Sequence, residues 1–159
     1  MKPKLYIETS IVSYLTSRLS RDLIIAARQE LTRETWPQLL SQFDAYISAL
    51  VVQEVERGDP EASASRLKIV DSMLVLDITD SVKALARTLI EKGAIPDTHL
   101  EDALHVAVAA SNGMDFLLTW NFSHINNAFT RSKIRDVIET EGYDCPELCS
   151  PEELFGEDK

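Results

Sequence analysis

The sequence predicts an α/β fold, a three-layer α/β/α sandwich around a mostly parallel central sheet of four to five strands. Short apolar segments of strand length recur along the chain, and segments with apolar residues at helical spacing separate them. Such alternation is typical of a parallel sheet with helices on both faces. The length of 159 residues suits one domain, so we predict a single domain over residues 1–159.

The predicted strands are short apolar runs bounded by polar or turn-forming residues. They cover residues 4–7, 45–49, 74–78 and 116–119. A fifth segment, residues 147–149, is a candidate for a short edge strand, although the same acidic segment also suits contact with a basic partner or repulsion of nucleic acid.

The predicted helices fill the intervals between these strands. A helical pattern starts at Thr9, and the others cover residues 21–41 with an interruption near Pro37, 51–57, 60–72, 81–92, 98–112 and 123–140. Segment 81–92 has the clearest apolar face, and Gly93 ends it. Thr98 and Glu101 stand in capping-box positions at the start of segment 98–112.

The net charge of −10 is concentrated near the C-terminus. Residues 136–159 contain nine acidic residues and one basic residue, whereas residues 1–135 contain seventeen and fifteen. The body of the chain is therefore nearly neutral, and the acidic segment 136–159 carries a net charge of −8. This distribution does not exclude a nucleic-acid partner.

Cysteine content and hydropathy indicate an intracellular protein. Cys145 and Cys149 are too few for a disulfide framework or a four-cysteine zinc site, so we expect reduced thiols. No apolar run approaches the ~20 residues of a membrane span, and the N-terminus lacks the apolar segment of a signal peptide. We expect a cytoplasmic protein without a membrane partner.

Polar side chains follow the predicted strands where a parallel sheet presents its carboxyl edge. Glu8 comes directly after the first strand, Glu54 lies on the short helix after the second, and Asn121 follows the fourth. Ligand sites of parallel sheets lie beyond this edge. Asp102 lies one turn into a largely apolar helix, where an unpaired charge is rare, so it indicates a metal or cationic partner.

Three of these residues also have a purely structural interpretation. Glu8 suits a turn near a helix N-terminus, and Asn121 suits a helix-start cap. Glu54 suits an exposed helix position paired with Arg57 or Arg18.

The histidines are weaker candidates. His99 and His105 are six residues apart and fall on different faces of the predicted helix. His105 is a candidate partner of Glu101, and His124 is expected on the first turn of the last helix. The chain contains no HExxH, GxGxxG, Walker or GxSxG motif, which argues against the corresponding zinc, nucleotide and serine-hydrolase sites.

What remains is a set of oxygen ligands typical of Mg²⁺ or Mn²⁺. Clustered carboxylates repel one another unless a divalent cation neutralises them, and such an ion activates water and neutralises phosphodiester charge. The set consists of Glu8, Glu54, Asp102 and Asn121, with hydroxyls from Thr9, Ser10 and Thr119.

Four segments resemble PIN-domain proteins, specifically the VapC-type toxin ribonucleases. They are, in order, YIETSIVSYL, EVERG, DALHVAVAA and LLTWNFSHINN, and the resemblance covers residues 4 to about 127. The resemblance implies a PIN-like sandwich and a metal-dependent endoribonuclease acting on single-stranded or structured RNA. It also implies the toxin of a type II toxin–antitoxin system, with an antitoxin that covers the acidic site. We further expect a homodimer.

Carried over position by position, the resemblance assigns Glu8, Glu54 and Asp102 as the acids that hold Mg²⁺ or Mn²⁺, and Asn121 as the fourth catalytic position. Two residues depart from the family pattern. Glu8 stands where Asp is usual, and Asn121 stands where Asp is frequent, so one tightly held ion is expected.

The resemblance places the remaining functional side chains around the acids. It implies that three hydroxyl side chains contact either the metal-bound carboxylates or the phosphate. These are Thr9, Ser10 and Thr119. Candidates for contact with an RNA backbone, which equally suit ordinary solvated helix charges, are Arg18, Arg21, Arg28, Arg131, Lys133 and Arg135.

Two other functions compete with the nuclease. A catalytically silent PIN module that binds a protein or RNA fits the departures at Glu8 and Asn121 and the acidic segment. A receiver-like signalling domain has Asp77 as its single phosphoacceptor candidate, but it lacks an acid pair after the first strand and a late lysine. The receiver hypothesis is therefore disfavoured.

Overall fold

The computed structural model describes residues 1–155 and contains one sheet of five strands. The strands are β1 (Lys4–Ile7), β2 (Asp44–Ser48), β3 (Leu74–Leu76), β4 (Phe116–Leu118) and β5 (Glu147–Cys149). They lie in the order β3-β2-β1-β4-β5, and every neighbouring pair is parallel. The predicted parallel sheet, including its fifth edge strand, is confirmed.

Eight helices are present in the described residues. They are α1 (Thr9–Thr16), α2 (Leu23–Gln42), α3 (Ala49–Val55), α4 (Pro60–Val70), α5 (Asp80–Glu91), α6 (Leu100–Ser111), α7 (Ala128–Thr140) and α8 (Pro151–Phe155). One group packs α1 against α2, α3 and α4, and another packs α5 against α6 and α7. The helices flank the sheet as the predicted sandwich requires. None of the helices in residues 1–155 combines the length and apolarity needed to cross a bilayer.

Two predicted helix features differ from the structure. Pro37 lies inside α2 and does not interrupt it, because buried residues on both sides of Pro37, Thr35 and Leu39 among them, hold the helix against the core. The last helix begins at Ala128 rather than at residue 123, since the Asn127 side chain accepts a hydrogen bond from the Thr130 N–H at 2.9 Å and caps it there.

The capping box predicted at Thr98 is wrong. His99 is the N-cap residue of α6, and its side chain makes no capping hydrogen bond. Glu101 instead binds Arg57, with Oε2 of Glu101 2.9 Å from the guanidinium. Glu101 therefore pairs with Arg57, in the turn after α3, instead of capping α6.

The buried central strand of the sheet fixes the position of the polar residues that follow it. Leu5, Tyr6 and Ile7 of β1 are fully buried, because β1 lies between β2 and β4 and helices cover both faces. Most of α6 from Ala103 to Ala110 is also buried. The carboxyl ends of β1, β2 and β4 therefore meet the N-terminal turn of α6 at one edge of the sheet.

The predicted domain 1–159 and its acidic segment extend beyond the described residues. Within the acidic segment, Asp136 to Thr140 belong to α7, and β5 and α8 follow. Residues 156–159 lie outside the described part of the chain.

Candidate metal centre

Glu8 is a buried carboxylate at the end of β1. Its N–H donates to the Leu118 carbonyl at 3.1 Å, so the residue continues the ladder with β4. Its side chain is 6% exposed, and Oε1 accepts hydrogen bonds from Ser10 Oγ and Thr119 Oγ1, both at 2.5 Å. No basic side chain in residues 1–155 forms an ion pair with Glu8. A buried carboxylate held by hydroxyls alone is a group that a bound cation would stabilise.

The two hydroxyls that contact Glu8 are themselves fixed by backbone donors. Ser10 Oγ accepts from the Trp120 N–H at 2.9 Å, and Thr119 Oγ1 accepts from the Asn121 N–H at 2.9 Å. Each hydroxyl therefore directs its own proton towards Glu8. The start of α1 and the end of β4 together orient this carboxylate.

Glu54 on α3 lies in a second set of hydrogen bonds. Its Oε1 accepts from Thr9 Oγ1 at 2.5 Å and lies 2.7 Å from His105 Nε2, and the side chain is 17% exposed. The alternative of an ion pair with Arg57 or Arg18 is wrong, because Arg57 binds Glu101 and the described residues give Arg18 no ion pair.

The environment of Glu54 favours its ionised form. Burial raises its pKa, but the hydrogen bond and charge of His105, the hydrogen bond from Thr9 and the charge of Arg57 outweigh burial and lower the pKa below its ordinary value. Glu54 therefore remains a carboxylate, the form that binds a cation.

His105 connects Glu54 to the core. Its Nδ1 lies 2.7 Å from the Tyr6 hydroxyl, which lies 2.8 Å from Ser48 Oγ. Burial lowers the pKa of His105 and raises that of Tyr6 well above its ordinary value. For His105, the hydrogen bond to Glu54 and the charges of the three acids outweigh burial, so its pKa is raised. The expected pairing of His105 with Glu101 is wrong.

His105 was not among the residues predicted for this site. The available signal was a histidine inside the apolar run of α6, because a buried imidazole needs polar partners. The identity of that partner, 51 positions earlier in the chain, required the fold.

Asp102 is linked to Glu8 through Asn121. Asn121 Nδ2 donates to Asp102 Oδ1 at 3.0 Å, and Asn121 Oδ1 accepts from the His124 N–H at 3.0 Å. The Asn121 N–H in turn binds Thr119, which binds Glu8. Asn121 therefore both stabilises the turn after β4, as the structural interpretation expected, and contacts the third acid.

A cavity of about 210 Å³ lies between the second and third acids. Its lining residues are Glu54, Thr98, His99, Leu100, Glu101 and Asp102. No hydrogen bond from the described residues reaches Oε2 of Glu8 or Oε2 of Glu54, so each carboxylate retains an oxygen for a cation or a water. These oxygen donors fit Mg²⁺ or Mn²⁺.

The three acids form a loose group rather than a tight one. In the described residues, the group of three side chains whose ligand atoms all lie within 4.8 Å of one another is His99, Asp102 and His124. Glu8, Glu54 and Asp102 do not meet that distance, so an ion at the acids would bind some of them through water. His124 lies in the turn before α7 and not on the first turn of that helix.

The candidate RNA-binding cations differ in their partners. Arg28 packs over the rings of Phe122 and Trp120, with the guanidinium carbon 4.7 and 5.5 Å from the ring centroids. Arg131 binds Glu153 at 2.9 Å, and Arg135 binds Glu147 at 3.2 Å. The ion pairs favour a structural role for Arg131 and Arg135.

Comparison with known proteins identifies a family and a fold. The model of the PIN domain family matches residues 5–129. No curated protein sequence matches the chain. Solved structures show the same fold at low sequence identity.

Three of these structures cover most of the chain. VapC20 of Mycobacterium tuberculosis, described as a toxin that cleaves the sarcin-ricin loop, has a TM-score of 0.58 and 16% identity and covers 88% of this chain and 96% of its own. VapBC2 of Rickettsia felis, bound to a DNA fragment from its promoter, has a TM-score of 0.59 and 17% identity, and the match covers 92% of this chain and 97% of that chain. VapBC-1 of nontypeable Haemophilus influenzae has a TM-score of 0.57 and 16% identity, and the match covers 92% of this chain and 97% of that chain.

Proposed function

Because the chain belongs to the PIN-domain family, we propose that it is a metal-dependent endoribonuclease that hydrolyses phosphodiester bonds in single-stranded or structured RNA. The observation that carries the proposal is Glu8, a buried carboxylate held by two hydroxyls at the same sheet edge as Glu54 and Asp102. A cation would stabilise such a group, and a divalent cation beside a solvent-accessible cavity suits phosphodiester hydrolysis.

Glu8, Glu54 and Asp102 are the residues that would hold the ion, directly or through water. A bound Mg²⁺ or Mn²⁺ supplies a more acidic water and neutralises charge on the phosphate. Glu54, whose lowered pKa keeps it ionised, lines the cavity and would orient a water there. The amide of Asn121 adds no charge to this site, which supports a single tightly held ion.

The surrounding polar residues would act by positioning the acids. Ser10 and Thr119 hold one oxygen of Glu8, and Thr9 and His105 hold one oxygen of Glu54. Asn121 holds one oxygen of Asp102. The hydrogen bonds leave the opposite oxygens of Glu8 and Glu54 for the ion or its waters. Preorganised ligands of this kind lower the cost of binding.

The proposal extends to a toxin of a toxin–antitoxin pair. The chain shares the fold of VapC20, which is described as a toxin, and of two VapBC proteins. We accordingly propose an RNA substrate, an antitoxin protein that covers the acidic site, a homodimer and a cytoplasmic location.

Cleavage of single-stranded RNA in Mg²⁺ or Mn²⁺, with and without a chelator, tests the proposal. Asp102→Asn and Glu54→Gln should each abolish most cleavage, because each removes a carboxylate from the ion. Asp97→Asn and Glu56→Gln are matched controls, since both side chains are exposed and lie near the same segments. Cleavage that persists in chelator and in both acid variants would refute the metal-dependent nuclease.

The alternative is a catalytically silent PIN module that binds a protein or RNA. The observation that favours it is Asn121, whose amide is engaged at both ends by Asp102 and by the His124 N–H. An absence of cleavage in every divalent ion, together with RNA or partner binding, would support this alternative.

A further inference from the structure

We propose that His99, Asp102 and His124 form a binding site for a transition-metal cation, such as Zn²⁺ or Co²⁺. Their ligand atoms all lie within 4.8 Å of one another. His99 is the N-cap residue of α6, Asp102 lies in its first turn, and His124 lies in the turn between β4 and α7. This inference goes beyond the proposed nuclease, because metal binding at this His–Asp–His cluster is measured without cleavage.

The separation of His99 from Asp102 suits two ligands of one ion. Nδ1 of His99 lies 3.5 Å from Oδ2 of Asp102, which is longer than the ~2.7–3.2 Å of an ordinary hydrogen bond. Two ligands held at ~2.0–2.1 Å from a tetrahedral ion are ~3.3 Å apart. His99 makes no capping hydrogen bond to α6, so its imidazole is not committed to the helix.

His124 is presented by a fixed turn. Its N–H donates to Asn121 Oδ1 at 3.0 Å, and the next two residues, Ile125 and Asn126, are buried. Its ring stacks on that of His99, with centroids 3.7 Å apart and planes inclined by 29°. Both imidazoles therefore lie next to Asp102, and rotation of a ring out of the stack would turn both nitrogens towards one ion.

The donor set determines the class of metal. Two imidazole nitrogens and one carboxylate oxygen favour borderline ions such as Zn²⁺, Co²⁺ and Ni²⁺, whereas Mg²⁺ prefers oxygen donors alone. Three protein ligands leave a coordination position for water, as in open zinc sites. The cavity of about 210 Å³ that His99 and Asp102 help to line has room for that water.

The cluster adjoins the acids of the proposed nuclease and shares one residue with them. Asp102 uses Oδ1 to accept the hydrogen bond of Asn121, and its Oδ2 faces His99. Glu8 and Glu54 are not part of the cluster. Substitutions at the two histidines should therefore alter the cluster without removing an acid of the proposed nuclease.

Titration of the untagged, chelator-treated protein with Co²⁺ and Zn²⁺ tests the proposal, by visible absorption and by calorimetry. We expect one equivalent to bind with an absorption change typical of nitrogen ligands. His99→Gln and His124→Gln should each weaken Co²⁺ binding by about 10- to 100-fold or more. The exposed control Glu56→Gln should leave Co²⁺ binding within about twofold of the unsubstituted protein.

Wild-type protein provides a second measurement that does not depend on the folding of variants. The chain contains three histidines, so the ring signals in NMR spectra are few. One equivalent of Zn²⁺ should shift the signals of His99 and His124 much more than those of buried His105. Circular dichroism would establish that each variant is folded.

The proposal is overturned if the wild type binds no stoichiometric Co²⁺ or Zn²⁺, or if the double variant of His99 and His124 retains wild-type affinity. Equal shifts of all three histidine signals would also contradict it. Each of these results leaves Mg²⁺-dependent RNA cleavage untouched, so failure here is distinguishable from failure of the proposed nuclease.

Discussion

Nε2 of His105 lies 2.7 Å from Oε1 of Glu54, and this contact joins the candidate site to the core of the protein. The opposite nitrogen of the same ring lies 2.7 Å from the hydroxyl of Tyr6 in β1. His105 is 1% exposed and Tyr6 is fully buried. The position of Glu54 therefore depends on side chains that are buried in the core.

Substitution of His105 by Leu should reduce the stability of the protein. The change removes the partner of the buried Tyr6 hydroxyl and of Glu54, at a cost of about 1–3 kcal/mol in the free energy of unfolding. Urea denaturation measures this loss. His99→Leu on the same helix is the control, because His99 is 41% exposed and its loss should cost less than about 0.5 kcal/mol. Equal stabilities for the His105 variant and the wild type would contradict the prediction.

The stabilising effect of His105 should decline as the pH rises. Burial lowers the pKa of His105, but the Glu54 hydrogen bond and the nearby acids raise it in the folded state above its unfolded value of about 6.5. A group with a raised folded pKa contributes its full stability below the unfolded pKa and loses it through the folded pKa.

Denaturation at a series of pH values from about 6 to 9 tests this direction. The difference in unfolding free energy between wild type and His105→Leu should shrink along the series. A difference that stays constant or grows with pH would show that His105 is not charged by its contact with Glu54. Glu54 affects stability in the opposite direction, because its pKa is lowered in the folded state. Its contribution to the free energy of unfolding is therefore lost only as the pH falls through its folded pKa.

Thr119→Val should weaken the site through Glu8. Valine has nearly the same shape but cannot donate to Glu8 Oε1 or accept from the Asn121 N–H. Because Thr119 is fully buried, the loss should destabilise the protein by about 1–3 kcal/mol and lower the affinity for Mn²⁺. Calorimetry and electron paramagnetic resonance with Mn²⁺ measure the two effects.

Thr88→Val is the matched control for this variant. The Thr88 hydroxyl donates to the Ala84 carbonyl within α5, away from the acids. Its loss should leave Mn²⁺ affinity unchanged. Equal Mn²⁺ affinities for Thr119→Val and Thr88→Val would exclude a role for Thr119 in holding Glu8.

The order of the main elements could be predicted because local patterns determine it. The apolar runs at residues 4–7 and 116–119 predict two strands, and their bounds agree with those of β1 and β4 to within one residue. The helix through Pro37 could not be predicted, because burial of Thr35 and Leu39 decides whether the chain continues there. Similarly, the start of α7 depends on the side chain of Asn127 in a turn with no helical periodicity.

The acids of the candidate site could be selected from the sequence because they follow strand ends. Their partners could not, since each partner is distant in the chain: Thr119 is 111 positions from Glu8, and His105 is 51 from Glu54. The tight cluster of His99, Asp102 and His124 was missed for the same reason. His99 and His124 belong to separate elements, and helical spacing within α6 gives no information about their distance.

The two cysteine thiols should react slowly in the folded protein. Burial, with smaller effects from neighbouring acids, raises the pKa of Cys145 to about 11 and that of Cys149 to about 12. Both are therefore protonated near neutral pH, and the thiolate is the reactive form. Iodoacetamide at pH 8 should label both residues much faster in urea than in buffer, with Cys145 ahead of the more buried Cys149 in the folded state. Equal labelling rates in buffer and urea would contradict the burial of these side chains.

Asn121→Asp should increase the response of the protein to divalent ions. Nδ2 of Asn121 donates to Asp102 Oδ1 at 3.0 Å, so an aspartate would replace an attractive contact with two carboxylates at similar distance. In chelator, the variant should lose about 1–3 kcal/mol of stability. A bound cation removes the repulsion and binds the folded state alone, so Mn²⁺ should raise the Tm of the variant more than that of the wild type.

Thermal denaturation with and without Mn²⁺ measures this difference, and Asn112→Asp is the control. Asn112 is exposed at the end of α6 opposite Asp102, so the same charge change there should not enlarge the Mn²⁺ effect. If Mn²⁺ raises the Tm of Asn121→Asp and Asn112→Asp equally, the ion does not bind beside Asp102. If Mn²⁺ raises the Tm of Asn121→Asp alone, the neutral amide at position 121 limits the negative charge of the site and thus the number of ions that it holds.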